Sequence, residues 1–161
     1  SLFRGSQNQY KSYKVIHSKG SGYLPISELK SGTEYIGKYK VILSKTTSEH
    51  AGEPSSDGNY RVFSTLSVIG KTAICTFSYL VIGAFDNINE AENLKKYLQT
   101  KFARFLVLQA ISSINLTKDK FIYLPIQDFT KNYCDSTLYK KYNLSVSEIS
   151  YIENIMKEHT V

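Results

Sequence analysis

The hydrophobic pattern of this chain changes period at Asp86, and that switch constrains the fold more than any other feature. Before it, short runs rich in tyrosine and β-branched residues alternate with turn chemistry, which is the signature of strands. The runs are SYKVIHS (12–18), YIGKYKVILSK (35–45), YRVFSTLSVIG (60–70) and TAICTFSYLVIGAF (72–85). Gly70-Lys71 between the last two reads as a tight hairpin turn. In the second run Lys38 and Lys40 fall on one face, and Tyr39, Val41 and Leu43 on the other. After Asp86, Asn87 and Glu90 make a capping pair, and Ala91, Leu94, Leu98, Phe102 and Phe105 recur at helical spacing. That spacing predicts one long helix with Lys96 and Arg104 on its outer face and a buried apolar end from Phe105 to Ile111. FIYLPI (121–126) reads as a short extended run stopped by Pro125, and DSTLYKKYN as a short helix starting near Asp135 or Ser136. Ser145 and Glu148 form a capping box flanked by a Leu144/Ile149 staple. Ile149, Ile152, Ile155 and Met156 then supply the inward stripe of a last helix. The expected fold is α+β: a mostly antiparallel twisted sheet over about residues 12–85, with a long helix and C-terminal helices. At 161 residues it is read as a single domain, with 86–156 as its helical scaffold part.

Charge is distributed unevenly. Residues 1–48 carry eight basic and two acidic side chains, whereas 49–161 carry twelve of each, so the whole excess of +6 lies in the first third. A polyanion would be attracted there, because neutralising phosphates releases counterions. Two polar stretches accompany the charge: Lys19-Gly20-Ser21-Gly22, and a long one over 45–59 holding Gly52, Pro54 and Gly58. Loops of that length inside a compact domain are uncommon and are usually functional or disordered.

Chemistry is harder to find. Cys75 and Cys134 are far apart, with no CxxC pair and no neighbouring histidine to suggest zinc. His17, His50 and His159 are scattered, and no Gly-x-Ser-x-Gly elbow occurs. No apolar run reaches the ~20 residues of a membrane span. The opening Ser1-Leu2-Phe3-Arg4-Gly5 lacks a signal peptide's charged start and apolar run, so a cytoplasmic protein is expected, and the methionine-free start reads as a fragment of something longer. An adenine methyltransferase needs a glycine-rich cofactor loop and a proline-rich strand end. The three prolines, Pro25, Pro54 and Pro125, are isolated, and no such glycine cluster joins a strand to a helix. Glu28-Leu29-Lys30 has the Glu-x-Lys spacing of metal-dependent nucleases, but no aspartate precedes it; the first is Asp57.

The C-terminal half resembles a known family. The segments SYLVIGAFDNINEAENLKKYLQTKFARFLVL, FIYLPIQDFT and LYKKYNLSVSEISYIENIM, covering roughly 79–156, are similar to the end of bacterial type II restriction–modification enzymes. There an adenine-N6 methyltransferase, sometimes fused to a nuclease, is followed by a DNA target-recognition domain. A weaker similarity links Tyr97-Leu98 and Leu124-Pro125-Ile126 to the scaffold of type I specificity subunits. The resemblance implies a domain with no cofactor of its own. S-adenosylmethionine and Mg²⁺ would belong to methyltransferase and nuclease domains elsewhere in the polypeptide.

The expected function is therefore sequence-specific recognition of double-stranded DNA, positioning a target adenine for methylation and the DNA for cleavage by those other domains. Lys19, Ser21, Lys38, Lys40, Lys45, Thr47, His50, Asn59 and Arg61 are the expected DNA contacts. The lysines would neutralise phosphate, while Ser21, Thr47, His50, Asn59 and Arg61 have the donors and acceptors to read bases. Two alternatives stay open: a metal-dependent nuclease using Glu28, Lys30 and Asp57, and a docking module between methyltransferase and nuclease subunits.

Overall fold

The computed structural model describes residues 12–46, 52–111 and 116–159. Their fold is α+β, and the strands divide between two small sheets instead of forming one. β1 (Ser12–His17) lies at the centre of an outer sheet, antiparallel to β2 (Gly20–Pro25) and parallel to β5 (Ala73–Cys75). β3 (Tyr39–Ser44) is the middle strand of a second sheet, antiparallel to both β4 (Leu66–Ile69) and β6 (Tyr79–Phe85). The Gly70-Lys71 turn therefore joins strands of different sheets and makes no hairpin. Residues 20–22, read as a loop from sequence, begin β2.

The second sheet is covered on both faces. Val41, Leu43, Leu66 and Leu80 pack into the main core with the helices, whereas Ile42 and Ile69 join Ala73, Ile16 and Cys75 in a smaller core beneath the outer sheet. Alternation along β3 thus records two apolar environments and not an inside and an outside. Lys40, on the outer-sheet side, is only 1% exposed. A register shift between Val41 and Ile42 where β3 meets β6 marks a bulge. Just past it, a Cβ on Gly83 would meet Leu94 Cδ2 at 2.5 Å, so glycine allows α1 to lie close on β6.

The predicted long helix is two helices. α1 (Ile88–Gln99) starts on Asn87, whose side chain accepts from the Asn89 N–H, and ends at Thr100. Thr100 (ψ 149°) then caps α2 (Lys101–Ala110), its hydroxyl donating to the Tyr97 carbonyl at 2.6 Å and accepting from the Ala103 N–H at 3.1 Å. Asp135 supplies two further acceptors, bonding the Lys101 and Phe102 N–H groups. The break re-aims the second half, so Arg104 is 0% exposed while Lys96 stays outside. Within 105–111 only Val107 is fully buried.

FIYLPI forms no strand: Lys118–Phe121 is a 3-10 turn whose Phe121 stacks on Phe63 at 6.0 Å, and Ile122, Tyr123 and Ile126 face outward. α3 (Asp135–Lys141) and α4 (Val146–Ile155) occur where the sequence places them. The Ser145/Glu148 box is reciprocal, Glu148 N–H to Ser145 Oγ and Ser145 N–H to Glu148 Oε2. Ile152 and Met156 are buried, closing the core against α2.

Candidate nucleic-acid interface

Two turns and one strand end meet at one end of the sheets. The β1–β2 hairpin closes through Ser18-Lys19, with His17 paired to Gly20. Gly20 has φ 131°, a conformation side-chain-bearing residues rarely adopt, and the Lys19 N–H bonds His17 Nδ1 at 3.2 Å. His17 is thus part of the turn, and Lys19 and Ser21 are exposed. The chain crosses from the outer to the second sheet through a tight turn over 76–79, in which the Tyr79 N–H donates to the Thr76 carbonyl at 3.0 Å. That crossing turn is bonded on both flanks. The Thr76 N–H donates to the Ile16 carbonyl of β1, and the Lys45 N–H, just past β3, donates to the Ser78 carbonyl. Those two bonds place the end of β1, the crossing turn and the residue after β3 at the same end of the sheets.

The crossing turn presents Phe77, which is 86% exposed. Lys45 Nζ lies 6.0 Å from its ring centroid, a cation held over an aromatic face. Behind it opens a cleft of about 360 Å³ with walls from Tyr35, Lys40, Lys45, Cys75, Phe77 and Lys118. A second hollow of about 290 Å³ adjoins it, sharing Tyr35, Val81 and Lys118 and continuing to Phe121. Among the described residues Thr76 Oγ1, beside this cleft, is buried without a hydrogen-bond partner. The arrangement offers cations and an uncovered aromatic ring, the combination that grips a phosphate backbone and contacts bases.

The remaining expected contacts separate. Lys40 stands in the cleft wall, but its ammonium donates inward to the Tyr35 carbonyl at 3.1 Å and the Lys71 carbonyl at 3.2 Å. Burial lowers its pKa, with the Cys75 sulfur opposing, and burial raises that of Cys75. Lys40 is a structural tether in this structure, contrary to its expected role as a phosphate contact. Lys38 is half-buried at the opposite end of β3, near Lys71. Asn59 and Arg61 lie beside the C-terminal segment, where Tyr60 bridges Met156 and the Lys157 N–H reaches the Tyr60 carbonyl. The Asn59 N–H is taken by Asp57 Oδ1, and the Arg61 carbonyl by Arg104 and Phe63. Thr47 and His50 fall outside the described residues. The second part of the polar 45–59 stretch is no loose loop: Ser55 is buried and Asp57 pairs with Lys157 at 2.9 Å.

For the nuclease alternative, Asp57 is held by Lys157 beside the C-terminal segment, whereas Glu28 and Lys30 are exposed just beyond β2. No group of three His, Cys, Asp or Glu side chains that could hold a metal occurs among the described residues.

Sequence reading missed Phe77, Thr76 and Lys118. A phenylalanine between Thr76 and Ser78, interrupting a run of strand residues, is a weak turn signal that could have exposed Phe77. Nothing local marks Lys118, which reaches the cleft through tertiary folding from 73 residues after Lys45.

Among the described residues no helix is long and apolar enough to cross a membrane. No family model matches this chain, and neither a curated protein nor a solved structure matches it.

Proposed function

We propose that this chain reads double-stranded DNA in the cytoplasm as the target-recognition domain of a restriction–modification protein. It would position a target adenine for methylation, and DNA for cleavage, by domains that bind S-adenosylmethionine and Mg²⁺ and lie outside this chain. Support comes from the resemblance of residues 79–156, from the basic first third, and above all from one geometric fact. Lys45 and Lys118 line one cleft with an exposed Phe77 where the two sheets join, at the end that also carries the β1–β2 turn holding Lys19. The comparisons add nothing to it.

The test is binding to a 24-bp duplex, followed by fluorescence anisotropy at several salt concentrations. Lys19→Glu with Lys45→Glu should weaken binding far more than Lys96→Glu with Lys140→Glu, two exposed lysines on α1 and α3. Each lost phosphate contact should flatten the log–log salt dependence by about 0.9. A larger loss from the helix pair, with all variants folded, would move the DNA to the helical side and overturn the reading. Given Mg²⁺ and S-adenosylmethionine, the chain itself should leave DNA uncut and unmethylated. Cleavage that disappears in Glu28→Gln would replace this reading with the nuclease.

A further inference from the structure

The exposed aromatic ring at this end sits on a turn that is bonded to both sheets. Phe77 occupies the second position of the 76–79 turn, whose backbone bonds to β1 at the Ile16 carbonyl and to the residue after β3 at the Lys45 N–H. A ring left 86% in water on such a mount forgoes the burial that a phenylalanine favours. Around it are cations: Lys45 over the ring at 6.0 Å, and Lys118 across the cleft that Phe77 helps to line. A protein partner for this ring would have to be acidic as well as apolar. A nucleic acid presents phosphates outside and stacked apolar faces within, spaced so that a cation can hold the former while a ring enters the latter.

We propose that Phe77 is a wedge that inserts between adjacent base pairs of the bound duplex, partly unstacking them, while Lys45 and Lys118 hold the flanking phosphates. This rests on the DNA-reading function proposed above and adds to it a mode of readout. Part of the sequence preference would arise from how easily a step opens, with pyrimidine–purine steps favoured. The inserted ring would need no hydrogen-bond donor, which phenylalanine lacks.

The experiment compares the 161-residue chain on two 24-bp duplexes, one intact and one carrying a central T·T mismatch beside a 2-aminopurine. In the mismatched duplex part of the unstacking has already occurred, so the wild type should bind it about tenfold more tightly, a factor within the range for one stacked base. Binding should also raise 2-aminopurine fluorescence. Phe77→Ala should lose both the preference and the fluorescence rise while keeping the salt slope of the wild type, and Phe77→Leu, still an apolar wedge, should keep part of both. Phe77 is exposed, so circular dichroism should find all three folded alike. Equal preference in wild type and Phe77→Ala, with both still bound, would overturn the wedge and leave the DNA-reading function standing. A Phe77→Ala effect confined to self-association without DNA would overturn it in favour of a protein contact. Absence of any duplex binding by the wild type would overturn the parent reading and the wedge together.

Discussion

The Tyr97 hydroxyl of α1 donates to the Pro125 carbonyl across 2.9 Å, fastening the 122–126 turn to the first helix. Gln127 reinforces the junction, its amide reaching the same carbonyl at 3.0 Å and the Tyr142 hydroxyl at 2.8 Å. Lys141 closes the set on Gln127 Oε1. Burial pushes the Tyr97 hydroxyl up to about 12, so it remains a donor throughout the neutral range. The turn itself turns Ile122 and Ile126 to solvent, and it is held by this polar knot together with Leu124, which packs against the main core.

Removing that hydroxyl should be felt modestly. Tyr97→Phe is expected to cost about 1 kcal/mol in urea unfolding, because the Pro125 carbonyl keeps its bond from Gln127. Affinity for DNA should not change, since the knot lies in the helical part. A loss of DNA binding at unchanged stability would contradict the assignment of this junction as scaffold.

Arg104 should matter more. Its guanidinium is fully buried and donates to the Gln99 carbonyl through Nε and to the Arg61 carbonyl through Nη1. The Arg61 carbonyl also accepts from the Phe63 N–H, closing a three-residue turn around Val62 at φ 69°, a conformation unfavourable for a β-branched residue. Arg104→Ala would empty a large buried volume and loosen that turn, and a loss of about 3 kcal/mol or more is expected. Arg104→Lys should recover little, because one ammonium lacks the fork that spans both carbonyls. Urea midpoints decide this; a change below about 1 kcal/mol for Arg104→Ala would show the clamp to be idle.

Lys40 offers a separation of folding from binding. Lys40→Glu would bury a carboxylate against the Tyr35 and Lys71 carbonyls, and should cost about 3–5 kcal/mol. Lys40→Met should stay within about 1.5 kcal/mol of wild type, since both carbonyls retain backbone donors in Lys38 and Gly37. The salt dependence of DNA binding by Lys40→Met should match wild type. A flattened slope would show that the ammonium leaves its tether to meet phosphate.

Acid should loosen the contact of α4 with α2. Burial works against the Glu153 carboxylate, but hydrogen bonds from Lys101 and Tyr139 outweigh it and hold its pKa below the ordinary 4.5. A carboxylate depressed in the folded state stabilises above its unfolded pKa, and that contribution disappears as pH falls through the folded value. Unfolding measured between pH 7 and pH 2 should therefore show stability falling below about 4.5, and Glu153→Gln should remove part of that dependence. Identical acid profiles for the two proteins would show that the Lys101–Glu153 pair, at 2.6 Å, contributes nothing.

The parts of this fold that sequence determined are those whose chemistry is local. Asn87 and Ser145 start their helices because their own side chains satisfy N–H groups two or three residues on, which needs no partner from elsewhere. β1 and the inward stripe of α4 are legible for a similar reason, since a run of β-branched residues or an i, i+3 repeat is written in consecutive positions. Tertiary structure decided the rest. The apolar repeat from Leu94 through Phe102 runs unbroken across Thr100, because a capping threonine interrupts the backbone without disturbing which residues are apolar. Alternation along β3 could not reveal that the outer sheet covers the side carrying Lys40, because polarity along a strand does not report what lies above it. The meeting of Lys45, Phe77 and Lys118 around one cleft follows only from long-range pairing, with the crossing turn bonded by Thr76 to Ile16 and by Lys45 to Ser78. Sequence held the excess charge in its first third, but long-range pairing set Lys118, from far outside it, on the same cleft as Lys45.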